Sequence, residues 1–243
     1  MRTLALLGLI VACHTPARPA APDRAPAPAP APVAARRSPE HASGFEYQVR
    51  SDFFDGLRGD TAALDRAVKV CEDALARQPD HAEALVWHGA GMMARARLAF
   101  GAGDRATGMK RYQQGLAEMD RAVALAPDQV GVRIPRGAVL LVVAAFVPEP
   151  EKSRLVARGV SDYEVTLARQ APRWSALTLH AREQLLYGLT DGYAVLGQAD
   201  KAQATYQRMM ADAAGSELLP RAKARAAGEP VDGAAPCGAC HGR

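Results

Sequence analysis

The feature that most constrains the fold is a helical pattern that recurs along the chain and ends each time at a proline. It reads LDRAVKVCEDALARQPD before Pro79, GLAEMDRAVALAPDQ around Pro127 and, more loosely, SDYEVTLARQAP before Pro172. Small residues at helical spacing let two helices approach closely, and the proline ends one helix before the next begins. The sequence therefore predicts an all-α protein built from repeated helices.

The last unit carries the most specific version of the pattern, YAVLGQADKAQATYQRM. Its order of Tyr193, Leu196, Gly197, Ala202 and Tyr206 resembles the tetratricopeptide repeat, in which a small residue of the second helix packs close and an aromatic residue follows four positions later. The resemblance implies a short solenoid of helical hairpins. We expect about four of them.

The repeat region is predicted to span residues 45–227, about 180 residues, which suffices for one domain with a full core. Pro79, Pro127 and Pro172 lie 48 and 45 residues apart, whereas the standard repeat has about 34 residues. The extra residues are expected to lengthen the paired helices or to lie between them.

The first helix of each tetratricopeptide pair lines a concave face that binds peptides or partner proteins in that family. The apolar character of the matching positions leaves two alternatives: a groove for an apolar helix or a lipid-like ligand, or core covered by the inserted segments. The predicted groove residues are Val86, Ala90 and Met93, then Ile134, Ala138 and Leu141, and finally Tyr187, Asp191 and Ala194.

The N-terminus has the order of a secretory signal, with Arg2 before an apolar run from residue 4 to residue 12. The stretch IVAC resembles the bacterial lipobox. This resemblance implies a signal peptide over residues 1–12 and a lipid anchor on Cys13; an ordinary cleaved signal is the alternative. His14 replaces the Asp that retains such lipoproteins in the inner membrane, so we expect the outer membrane, facing the periplasm.

Residues 13–44 are predicted to form a disordered tether. The segment holds eight of the 17 prolines of the chain and almost no large apolar residue, so it cannot bury a core. Thirty residues in an extended polyproline conformation reach on the order of 90 Å, at about 3.1 Å per residue. The tether is thus long enough for the repeat domain to sit well away from the bilayer.

The predicted tail, residues 228–243, ends in CGACHGR. This motif resembles the c-type haem attachment site, which implies thioether bonds from Cys237 and Cys240 and an iron ligand at His241. The preceding residues are rich in Gly and Pro, and no segment follows that would cover a haem. A disulfide-forming thiol pair and a clasp for a soft metal remain alternatives.

A haem on this tail would take its sixth ligand from water or from the repeat domain, where Met209, Met210 and His180 are candidates. Cys71 and His88, whose side chains can bind metals, are both expected to be structural. Cys71 falls at a helix-packing position and should be a buried thiol. His88 is expected to be a satisfied core histidine rather than a metal ligand.

The body of the chain contains no phosphate-binding loop, no HEXXH zinc helix and no GXSXG elbow. We therefore expect no enzyme. The net charge of +4 comes from scattered Arg without a basic run between aromatic residues, so no nucleic-acid partner is predicted.

Three functions remain open on these observations. The first is an envelope scaffold that binds a partner protein, with the tail haem as an addition. The second is an electron-transfer protein of the c-type cytochrome class. The third follows a looser resemblance to the T component of tripartite periplasmic transporters, which implies an apolar passage for a small hydrophobic ligand.

Overall fold

The structure, a computed structural model, describes residues 44–231, and about 80% of these residues are helical. No β-strand occurs in this range, which confirms the predicted all-α class. A 3₁₀ helix spans Ala171–Ala176. The nine α-helices of the described range are α1 (Glu46–Leu57), α2 (Thr61–Arg77), α3 (Ala82–Gly101), α4 (Arg105–Leu125), α5 (Val130–Ala144), α6 (Glu151–Gln170), α7 (Leu179–Val195), α8 (Ala199–Asp212) and α9 (Leu219–Ala226).

The predicted helix ends are confirmed. Helices α2, α4 and α6 each end two residues before a proline, at Pro79, Pro127 and Pro172. Proline lacks a backbone N–H and disfavours helical angles in the residue before it. Gln78 and Ala126 accordingly leave the helical region, whereas Ala171 keeps helical angles and the chain passes Pro172 as the 3₁₀ helix.

Tight turns join α1 to α2, α3 to α4 and α7 to α8. Each contains a glycine in the left-handed region: Gly59 at φ +117°, Gly103 at +82° and Gly197 at +70°. Other residues adopt such angles at a steric cost. Asp60 and Asp104 follow two of these glycines, and each carboxylate accepts the backbone N–H three residues later at 3.0 Å. The chain therefore reverses and restarts a helix within three residues.

The helices pack mainly with their sequence neighbours, α1 on α2, α3 on α4, α5 on α6 and α7 on α8. Helix α3 also contacts α5, and α5 contacts α7. The extra residues lie where the repeat spacing predicted them: α3 and α4 are long, at 20 and 21 residues, and residues 145–150 separate α5 from α6. Helix α9 packs on α7 and α8 and was not predicted from the sequence.

Two pairs of glycines bring neighbouring helices into backbone contact. A Cβ atom on Gly89 would lie 2.7 Å from the carbonyl oxygen of Gly115, and a Cβ on Gly115 would lie 2.7 Å from that of Gly89. Gly137 and Gly159 make the equivalent approach between α5 and α6, at 3.2 and 3.0 Å. No larger residue fits either crossing without a backbone shift.

Tyr163 of α6 fills the space between α5 and α7. Its ring is fully buried and lies against Gly137 on one side and Gly188 on the other. A Cβ on Gly137 would approach the ring carbon Cε2 to 3.0 Å. Three consecutive helices are thus held by one aromatic side chain and two glycines.

Helices α1 and α9 begin and end inside the predicted limits of 45 and 227. The predicted signal peptide, the tether up to residue 43, Cys13 and the tail cysteines lie outside the described residues. Within residues 44–231 no helix combines the length and the apolarity needed to cross a bilayer.

Replacing Gly89 with Ala tests the α3–α4 crossing. Because the added methyl group meets backbone atoms, we expect Gly89→Ala to lower the free energy of unfolding by about 1–3 kcal/mol, measured by urea denaturation. Gly101→Ala is the matched control: the same helix, with no atom within 4 Å of the added Cβ, so the better helix former should leave stability unchanged or raise it. Equal stability of both variants would contradict the crossing.

Candidate functional site

Most predicted groove residues are part of the core. Val86 is fully buried, and Met93, Leu141 and Tyr187 are 4%, 8% and 1% exposed. The alternative in which the apolar stripe is core therefore describes these four positions, and none of them offers a surface to a ligand. The helical period shows which residues share a stripe, but not which neighbours cover it.

Ile134 and Asp191 are half-buried. Asp191 of α7 forms an ion pair with Arg225 of α9, with 2.6 Å between the carboxylate Oδ1 and the guanidinium Nε. Burial raises the pKa of the Asp191 carboxyl, while Arg225 and Arg221 oppose the shift by favouring its charged form. The chain's own helix thus occupies the position at which a partner was predicted to meet Asp191.

A small second core fixes α9 in this place. Tyr187 packs in a buried cluster with Met209 of α8 and with Leu218 and Ala222. Leu218 is 1% exposed and Ala222 is fully buried, whereas Lys223 on the other face of α9 is exposed. Helix α9 therefore covers the end of the helical array with an apolar inner face and a basic outer face.

The three candidate haem ligands differ in access. Met209 is fully buried in the second core, so its sulfur is not accessible to an external haem. Met210, the next residue, is 37% exposed. His180 has a half-exposed side chain whose Nδ1 lies 3.1 Å from Glu183 Oε1. Only Met210 and His180 remain available at this end of the array.

His88 and Cys71 are structural residues, as predicted. The Nδ1 atom of buried His88 lies 2.6 Å from Glu118 Oε2, and its Nε2 lies 4.0 Å from Glu72 Oε1. Burial, together with the nearby Glu118 and Glu72 carboxylates, raises the pKa of the Cys71 thiol to about 12. A thiol in this state is protonated at neutral pH and unreactive.

A buried charge cluster joins α5 to α6. Asp162 is fully buried and accepts two hydrogen bonds from Arg136, from Nε at 2.7 Å and from Nη2 at 2.8 Å. Arg133 adds a third bond at 2.7 Å. Two guanidiniums thus compensate one desolvated carboxylate.

Sequence reasoning missed this cluster, although one signal was present. Asp162 falls on the apolar stripe of α6, between the buried residues Val160 and Tyr163. A charged residue on a buried stripe requires a partner. Arg133 and Arg136, three residues apart on α5, were the available cations.

Two tyrosines tie helices together in a similar way. The Tyr112 hydroxyl donates to Glu151 Oε1 at 2.9 Å, and the Tyr193 hydroxyl donates to Glu164 Oε1 at 2.7 Å. Burial and these carboxylates raise the pKa of both tyrosines, for Tyr112 to about 12. These bonds link α4 and α7 to α6.

The predicted tail site, Cys237, Cys240 and His241, lies outside the described residues. Between residues 44 and 231 no group of three or more His, Cys, Asp or Glu is placed to hold a metal ion.

Comparison of the chain with protein family models, with curated proteins and with solved structures found no match. Functional inference therefore depends on the residues of this chain alone.

Replacing Asp162 with Asn tests the buried cluster. The amide removes the charge that compensates Arg133 and Arg136, and breaking a buried ion pair from one side costs about 3–5 kcal/mol. We expect Asp162→Asn to lower the free energy of unfolding on that scale. Asp80→Asn is the control, because Asp80 pairs with Arg121 at the surface and surface pairs contribute little. An equal effect of the two substitutions would contradict a structural role for the cluster.

Proposed function

We propose that the protein is an exported, lipid-anchored scaffold of the cell envelope, in which a tetratricopeptide-like array binds a partner protein and carries a haem-bearing tail. The repeat character of the array is supported by a regularity in its ion pairs. Asp80 pairs with Arg121 and Asp128 with Arg169, each pair separated by 41 residues. Both aspartates directly follow the prolines that end α2 and α4.

The packing order also supports a repeat array. The glycine crossings within α3–α4 and α5–α6 are alike, and the odd-numbered helices α3, α5 and α7 are neighbours. Solenoids need terminal elements with a polar outer face, because the last repeat otherwise leaves its core exposed. Helix α9 fits that role. A partner protein would then contact the outer surface of the array, since the predicted groove is largely core.

The tail proposal depends on the CGACH motif and on where the described chain ends. Helix α9 ends at Ala226, Gly228 follows with φ +75°, and Val231 is the last described residue. Cys237 comes six residues later, a span of at most about 20 Å. The attachment point of a haem would thus lie within about 20 Å of Val231, and Met210 and His180 remain the candidates for its sixth ligand.

A haem held by Cys237, Cys240 and His241 would supply one-electron transfer. The protein residues would supply attachment and a fixed position. Export, which is part of the proposal, would place the tail thiols in an oxidising compartment, where they are not expected to remain free.

The experiment is a haem stain of denatured protein, with its intact mass, after production of the full chain in a host that matures c-type cytochromes. We expect a stain that survives denaturation and a mass increase of one haem. Cys237→Ser with Cys240→Ser should abolish both. Cys71→Ser, the matched thiol control inside the array, should leave both unchanged.

Wild-type protein without a stain would contradict the haem proposal. A loss of two hydrogens from the intact mass would then favour the disulfide-forming pair. In that case the scaffold proposal would stand without an electron-transfer role.

The transporter-like alternative receives less support. Two hollows of the described surface, about 330 and 170 Å³, lie side by side between the α2–α3 turn and its neighbours. Gln78, Asp80, Glu83 and Gln129 line the larger one. Neither has the apolar lining that a passage for a hydrophobic ligand requires.

A further inference from the structure

The hairpin tip, defined as residues 97–110, is the most exposed part of the α3–α4 hairpin. It comprises the end of α3, the turn at Gly103 and the start of α4. Within it only Ala99 and Gly108 are buried, and Thr107 is half-buried. The tip is therefore covered by no other part of the described chain.

Three large apolar side chains are exposed on this tip. Leu98 and Phe100 are each 39% exposed, and Met109 is 47% exposed. The Phe100 ring lies over Gly108, where an added Cβ would approach ring carbon Cδ1 to 2.6 Å. This contact holds the ring at the surface. Exposed apolar side chains concentrated on one projecting element indicate an interaction site.

The tip is also basic. Residues 97–110 contain three cationic side chains and one carboxylate, Asp104. Asp104 is engaged as the N-cap of α4, accepting the backbone N–H of Thr107 at 3.0 Å. Among the described residues no carboxylate forms an ion pair with the tip cations Arg97, Arg105 and Lys110. Their positive charge is left for an external partner.

The α5–α6 connection is a second segment with an exposed apolar side chain. Tyr112 of α4 donates to Glu151, which places the start of α6 beside α4. The α5–α6 connection just before Glu151 carries Phe146, the most exposed large apolar residue of the described chain at 71%.

We infer that the hairpin tip docks on a lipid bilayer that contains anionic headgroups. Apolar side chains that enter the headgroup region, combined with unpaired cations, are the two attractions that hold proteins at such a surface. An acidic protein surface would satisfy the cations, but it does not require apolar residues around a projecting turn. The inference concerns residues 97–110 and does not depend on the haem.

The test is hydrogen exchange measured by mass spectrometry on the full-length protein purified from membranes. The protein is mixed with vesicles of phosphatidylcholine alone or of phosphatidylcholine with phosphatidylglycerol. We expect slowed exchange over residues 97–110 only with the anionic vesicles, and loss of the effect at high salt. The lipid anchor holds the protein equally on both vesicles. If the lipid anchor is absent, the protein will stay in solution in the presence of phosphatidylcholine vesicles. Exchange at the tip with anionic vesicles will still test docking.

Arg97→Gln with Lys110→Gln should weaken docking about 30-fold, since each surface cation contributes roughly one kcal/mol of attraction to anionic membranes. Arg77→Gln with Lys223→Gln is the matched control: it removes two exposed cations elsewhere and should leave the tip effect intact.

Leu98→Ser with Met109→Ser tests the apolar part and should also reduce the slowed exchange. Its control is Leu125→Ser, at a residue of similar exposure, 43%, outside the tip.

Three results would overturn the inference. They are equal exchange of the tip with both vesicle types, equal loss of docking in the Arg77 and Lys223 control, and protection of the wild-type tip by an acidic peptide but not by anionic vesicles. The last result would identify the tip as a protein-binding surface. Because the first comparison uses wild-type protein, it holds even where a variant fails to fold.

Discussion

Direct backbone contact at two glycine pairs is the constraint on which the rest of the array depends. At Gly89 and Gly115, and again at Gly137 and Gly159, neighbouring helices approach to the limit set by their carbonyl oxygens. Helices this close leave no room for large side chains at the crossing, so the bulky residues pack beside it. The first helix of the pair is then covered on most sides: thirteen of the residues of α3 are buried. The predicted groove becomes core for this reason.

Ion pairs between neighbouring helices also stabilise the array. Asp162 holds Arg133 and Arg136 between α5 and α6, and Asp191 holds Arg225 of α9 against α7. Both carboxylates are paired with cations of their own chain. The proposed functions lie elsewhere: partner binding on the outer surface of the array, a haem on the tail that follows α9, and membrane docking by the exposed hairpin tip at the α3–α4 turn.

Much of the fold could be predicted from single residues with strong local effects. Pro79 and Pro127 directly follow helix ends, although Pro135 lies inside α5, and Gly197 marks a turn. The sequence left two alternatives for Val86, groove or core, because helical periodicity identifies an apolar stripe without its covering neighbours. Helix α9 was missed because its eight residues are mostly Ala, Arg and Lys, a composition that also suits an exposed segment. The pairing of Asp162 depends on a contact between α6 and α5, with two arginines that lie 26 and 29 residues away in the sequence.

The most direct test of this account is the accessibility of position 86. Val86→Cys is nearly isosteric, and the exposed Ala124→Cys provides the comparison. After maleimide treatment of the folded full-length protein, peptide mass mapping reports the label at each position separately from the native cysteines. A closed array predicts labelling at 124 in the folded state and at 86 only after denaturation. Rapid labelling at 86 in the folded protein would contradict the account, because the predicted groove would then be open.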